Sequence, residues 1–171
     1  YYHHGYSGDI GGGQYDRIIA PNNSDWEITV RQTGSSATEV STIKDALDKW
    51  EAQGRPKGTI HIADSLTYNE SIEIKGANEK RLAIEANNGQ RPTVIGNVKI
   101  TQNRPQADIV LSGLLIEGRI DVEESLGGLQ IKHCTLVPGQ CLDEKGNPVH
   151  PAAASIEAAA SNTSLEIEID H

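Results

Sequence analysis

The chain has 171 residues, with 15 Lys and Arg against 24 Asp and Glu, for a formal net charge of −9. That length suits one domain with a real core, and the core must be aliphatic, because aromatics make up 4% and there is no Phe or Met. The acidic balance argues against nucleic acid, whose phosphates are held by clustered Lys and Arg, and against docking on an anionic membrane; no apolar run nears the roughly 18–20 residues that span a bilayer.

Residues 1–24 are rich in Gly, Tyr, His and Asn and show no apolar periodicity. They read as an irregular N-terminal arm. His3 and His4 are adjacent, and neighbours in sequence do not converge on one ion without further ligands. Gly11, Gly12 and Gly13 neither follow a strand nor open a helix, so they make no phosphate loop. Tyr1, Tyr2, Tyr6 and Tyr15 are of a type that contacts a neighbouring subunit or a glycan.

Residues 25–31 alternate, with Trp26, Ile28 and Val30 on one side, as in a half-buried strand. Residues 42–52 form the one convincing helix. Thr42 can cap it with Asp45 three residues on. Ile43, Ala46, Leu47 and Trp50 fall on one apolar face. From residue 58 onward the pattern is short strands only, each alternating an aliphatic with a polar residue, separated by turns of Asn, Gly and Pro.

Three segments share a template. Ile109-x-Leu111-x-x-Leu114-x-Ile116 matches Leu129-x-Ile131-x-x-Cys134-x-Leu136, and Ile167-x-Ile169 begins a third copy. Such an offset fits one coil of a parallel β-solenoid, in which stacked coils align like residues into ladders and share one core. An antiparallel sandwich would also give many short strands. Few two-residue hairpin signals join these strands, and a helix just before them can cover an open core end. The fold class expected is therefore all-β: a right-handed parallel β-helix over 25–171, with entry helix 42–52. The third copy is cut short and Met is absent, so we expect a piece of a longer chain.

The run TIKDALDKW, GTIHIADSLTYNESIEI and LAIEANNGQRPTVIG resembles the opening of the pectin-lyase-like right-handed parallel β-helix superfamily. The resemblance covers about residues 40–137 and implies a fold more than an activity, since that superfamily spans lyases, esterases, hydrolases and non-catalytic tail proteins. The QDT, DFIFG and GRPW motifs of its methylesterases do not occur here. Tyr68-Asn69-Glu70 matches a fold element of that family and not its catalytic centre. Its lyases set calcium-binding aspartates near a basic residue. Arg119, Asp121, Glu123 and Glu124 come nearest to that arrangement, so calcium is the one cofactor that the resemblance admits. LQIKHCTLVPGQCLDEKGNPV with SLEIEIDH resembles β-helix regions of large bacterial proteins linked to phage-tail-like or contractile-injection particles, which implies an extracellular or particle-associated setting.

The outward carboxylates Glu73, Glu85, Glu117, Glu157, Glu166 and Glu168 read as a solvated strand face that discourages edge pairing. His133 and Cys134 are strand neighbours and point to opposite sides. Cys134 takes the inward rung of Leu114, and its pairing with Cys141 is open. The loop 138–154 interrupts the repeat and carries His150 between two prolines. Long loops on rigid scaffolds often carry recognition. The ligand-binding candidates are thus Arg119, Asp121, Glu123, Glu124 and His150, with no catalytic residue assigned. The function expected is a non-catalytic structural or interaction module whose partners are protein subunits or further coils. A polysaccharide-active enzyme or a carbohydrate-binding module is the alternative.

Overall fold

The computed structural model describes residues 23–75, 81–101, 104–139 and 143–170. The N-terminal histidines, the Gly11–Gly13 run, the four tyrosines and Cys141 lie outside the described residues. The elements begin with β1 (Trp26–Val30), β2 (Glu39–Val40), α1 (Ile43–Ala52), β3 (Gly58–Ile62), β4 (Thr67–Tyr68), β5 (Ile72–Lys75), β6 (Leu82–Ala86) and β7 (Thr93–Ile95). They continue with β8 (Val98–Thr101), β9 (Arg104–Ser112), β10 (Leu115–Glu117), β11 (Ile120–Val122), β12 (Leu126–Lys132), β13 (Thr135–Leu136), β14 (Ile156–Ala158) and β15 (Glu166–Asp170).

The chain is mostly strand, and its strand pairs are parallel. This excludes the antiparallel sandwich. Sheet A has the order β15-β12-β9-β6-β3-β1-β2, sheet B the order β13-β10-β7-β4 and sheet C the order β14-β11-β8-β5. From β3 on, the chain visits A, B and C in turn, four times over, and returns to A with β15.

The core is a set of ladders. In sheet A, Ile28, Ile60, Ile84, Leu111, Ile131 and Ile169 are successive partners. In sheet B, Tyr68, Val94, Ile116 and Leu136 stack, and in sheet C Ile72, Val98, Ile120 and Ile156. A one-residue slip would turn every one of these aliphatics outward, so the period-2 pattern fixes the register. The template alignment read from sequence is the one found: Leu129 partners Ile109, and Ile167, beyond the long loop, partners Leu129.

Helix α1 lies over one end. Ile43, Ala46, Leu47 and Trp50 are buried, and the helix packs on β1, β2, β3 and β5. Trp50 Nε1 donates to Pro56 O at 2.8 Å, so its one polar atom is satisfied. Thr42 is the N-cap, its hydroxyl accepting from Asp45 N at 3.0 Å. Glu70 completes the cap: Oε1 accepts from Ile43 N and Oε2 from Lys44 N, each at 2.9 Å. A carboxylate there meets the positive end of the helix dipole.

Between sheets B and C the chain turns sharply at Gly96 and Gly118. Gly96 has φ +152°, and a Cβ on it would sit 2.7 Å from Glu70 O. A Cβ on Gly118 would overlap the carbonyl of Gly96. Only glycine lets successive corners stack this closely.

The structure corrects three details. His133 and Cys134 are not strand neighbours; they form the corner between β12 and β13, with His133 at φ +53°, the place that Gly113 (φ +73°) takes one rung earlier. Cys134 is half-buried rather than fully buried, because its rung lies near the open end of the core. Glu85 is not on a solvated face: it is 5% exposed.

Candidate functional site

Of the charged residues that the sequence points to, Arg119, Asp121 and Glu123 converge on the outer face of sheet C. Its inward positions are aliphatic, so alternation sends Glu73, Lys99, Asp121 and Glu157 outward as a ladder of direct cross-strand partners. Arg119, at the corner before β11, reaches along this face. Its Nε lies 2.8 Å from Asp121 Oδ1, and its Nη1 donates to Glu157 Oε2 at 2.9 Å. Lys99 Nζ lies 2.9 Å from Glu123 Oε2 and Lys75 Nζ 3.1 Å from Glu73 Oε2. The Glu123 carboxylate beside Lys99 holds its ammonium above the ordinary value. Each cation of this face is therefore matched by an acid.

Three clefts adjoin the ladder. One of about 530 Å³ sets Lys44, Asp48 and Glu51 of α1 against Glu73, Lys99 and Asp121. A second, of about 310 Å³, is lined by Arg119, Asp121, Glu123 and Glu157. A third, of about 500 Å³, is walled by Asn97 and Arg119 on one side and by Pro138, Val149 and His150 of the long loop on the other. Asp121 is shared by the first two and Arg119 by the last two. The structure thus brings Arg119, Asp121 and Glu123 together and carries His150 to Arg119. Glu124 is exposed and lines none of the three clefts.

Lys99, Glu73 and Glu157 complete this face and were missed as site residues. Register sets Lys99 between Glu73 and Asp121, while Asp121 and Glu157 on adjacent rungs are bridged by Arg119. The chemistry open to the face is polar recognition. Among the described residues, no group of three or more His, Cys, Asp or Glu side chains could hold a metal ion. With Asp121, Glu123 and Glu157 already bound to cations, this face does not fit calcium.

A second titratable cluster sits on the outer face of sheet A. His61 Nδ1 lies 3.2 Å from Glu85 Oε1 and its Nε2 lies 3.7 Å from Glu27 Oε2. The hydrogen bond to Glu85 and the charges of Glu85 and Glu27 raise the imidazole pKa above its ordinary 6.5, against the opposing effect of burial. Asp64 organises the turn before β4, accepting from Tyr68 Oη at 2.8 Å and from Gln32 N at 2.9 Å. Burial, with Asp64 as acceptor, pushes the Tyr68 phenol well above its ordinary value. Tyr68 and Glu70 thus serve the fold. In the long loop, Asp143 accepts from the backbone of Asn147 at 2.8 Å and Lys145 at 2.9 Å, and these bonds hold its carboxyl below the usual range.

Among the described residues no helix is long and apolar enough to cross a membrane. Comparison with known proteins finds no matching family model, no matching curated protein and no matching solved structure.

Proposed function

We propose that the chain is a right-handed parallel β-helix of the pectin-lyase-like kind and acts as a non-catalytic structural or interaction module within a larger assembly, of which a phage-tail-like particle is the first candidate. The observation that carries this reading is the ladder architecture: three parallel sheets whose inward positions are filled rung after rung by aliphatics, with the cations on the outer face of sheet C each paired to an acid. The matched charges on sheet C support a recognition face more than a reacting one, because no carboxylate pair stands apart from cations there.

Sedimentation of the parent protein from its source lysate and culture fluid tests the proposal. Travel with a large multi-protein particle is the expected result, and migration as a free chain overturns it. The three adjoining clefts favour one second reading, a carbohydrate-binding face on sheet C. Saturable binding of a polyuronate without product, weakened by Arg119→Ala, supports that reading. Turnover with release of product points instead to a polysaccharide-active enzyme.

A further inference from the structure

We infer that Asn88 is a site of self-modification, at which the backbone nitrogen of Gly89 displaces the side-chain amide. The reaction consumes only water. Gly89 N loses its proton to water and attacks Asn88 Cγ, forming the new C–N bond of a five-membered imide. The bond from Cγ to Nδ2 breaks, and Nδ2 leaves as ammonia with a proton returned from water. A second water then opens the imide. Opening at Cγ gives aspartate, and opening at the backbone carbonyl carbon gives isoaspartate, whose main chain runs through the side chain. Either product carries one more negative charge.

The reaction needs a free side-chain amide, a free attacking N–H and a backbone that can swing. Asn88 and Gly89 are the central residues of a turn between β6 and β7, closed by Gln90 N donating to Asn87 O at 3.0 Å. Both are exposed. Among the described residues, neither the Asn88 side chain nor the Gly89 N–H has a hydrogen-bond partner. Bringing Gly89 N to Cγ rotates the peptide between the two residues. Gly89 has φ +76°, nothing lies within 4 Å of where its Cβ would be, and glycine crosses between both signs of φ at little cost.

The other described asparagines each lack a condition. Asn97 Oδ1 accepts from Arg119 N at 3.1 Å, and the following Val98 N donates to Arg119 O at 2.9 Å. Asn147 donates from Nδ2 to Asp143 and precedes Pro148, which has no N–H. Asn162 precedes Thr163, whose N–H is engaged by Ser161 O. Asn23, Asn69 and Asn87 precede Ser24, Glu70 and Asn88, whose Cβ atoms crowd the attacking nitrogen and narrow its φ.

The consequence falls among inner rungs, since β6 lies between β3 and β9 and β7 between β4 and β10. The turn is anchored on both sides. Asn87 N donates to Ile62 O at 2.9 Å, Arg91 N to Ser65 Oγ at 3.0 Å, and Ser65 Oγ to Gln90 Oε1 at 2.8 Å. Isoaspartate adds one main-chain carbon between these anchors, so they no longer meet their partners together. Aspartate keeps the spacing and the anchors.

Incubation of the intact folded protein in warm neutral buffer, with peptide mapping by mass, tests the inference. One equivalent of ammonia per chain is expected, with the mass gain of an amide-to-acid exchange first at Asn88 and with both aspartate and isoaspartate present. The early release should be lost in Asn88→Gln, which would have to close a six-membered ring, and kept in Asn69→Gln. Hydrogen exchange at Arg91 N should quicken in the isoaspartate fraction and stay unchanged in Asn88→Asp. Modification that appears first at another asparagine overturns the inference. So does modification of Asn88 only after urea has unfolded the chain, because the folded turn would then forbid the attack. An intact Asn88 after a free Asn-Asn-Gly-Gln peptide has fully reacted overturns it as well. Unchanged exchange at Arg91 N in the isoaspartate fraction overturns the effect on the anchors.

Discussion

Glu70 and His61 show what single residues contribute beyond the pattern that places them. Glu70 sits in a turn yet accepts two N–H groups of a helix 26 and 27 residues earlier in the chain. Hydrogen bonds to charged groups are worth about 1.5–3 kcal/mol each when removal orphans the partner. Glu70→Gln keeps one acceptor and loses the charge, so it should lower unfolding stability by about 1–2 kcal/mol, read as a lower urea midpoint with unchanged slope. His61 gives a pH signature. Its folded pKa lies above 6.5, so its contribution is fully present below that pH and is lost as pH rises through the raised value. The stability advantage of wild type over His61→Gln should therefore shrink as pH climbs from 6.5, and Glu85→Gln should flatten the trend. Neither role was legible in the sequence. Alternation assigns a side of the strand, but it does not tell what lies against that side, and Thr59, Ala83 and Val110 beside this pair are buried too. The Glu70 cap needs the β4–β5 turn and the start of α1 to meet, a contact that no local pattern encodes.

The helix and the strand ladders were legible because their periods are strong and uninterrupted. Ile43, Ala46, Leu47 and Trp50 repeat at helical spacing and are the four buried residues of α1. The corners were less legible. The two-residue gap in Ile109-x-Leu111-x-x-Leu114-x-Ile116 is the break at Gly113 between β9 and β10, where a left-handed residue turns the chain from sheet A to sheet B. His133 does the same one rung later, and a histidine gives no such warning in sequence. At the B-to-C corner, glycine is a packing requirement. Gly118→Ala would push a methyl against the carbonyl of Gly96, and overpacking of this kind costs about 1–3 kcal/mol. The same change at Gly89, with φ +76° and open space around its would-be Cβ, should cost about 1 kcal/mol from backbone strain alone. Equal losses in denaturant titrations would mean that the corner relaxes without resistance. The charged face of sheet C falls between these cases. Arg119, Asp121 and Glu123 are readable as a cluster, while Lys99 and Glu157 join them only once register is known.

At the scale of the whole molecule, one ladder contains its own control. Ile84 and Ile169 occupy equivalent positions in sheet A, three rungs apart across Leu111 and Ile131. They share a side chain and a strand environment, and differ in what lies beyond them. Ile84 has rungs on both sides and is fully buried, whereas Ile169 is 61% exposed. Ile84→Ala should cost about 2–5 kcal/mol, the loss of a buried aliphatic plus its cavity. Ile169→Ala should cost less than about 1 kcal/mol, because little of its surface leaves water on folding. Native-state hydrogen exchange should show the same gradient, with β6 opening near the global limit and β15 well below it. If Ile169→Ala proved as costly as Ile84→Ala in the dilute chain, its side chain would be covered in solution. A steep gradient that disappears in the native assembly would place the missing stability in the contact itself, since a partner that binds only the folded state adds stability by mass action.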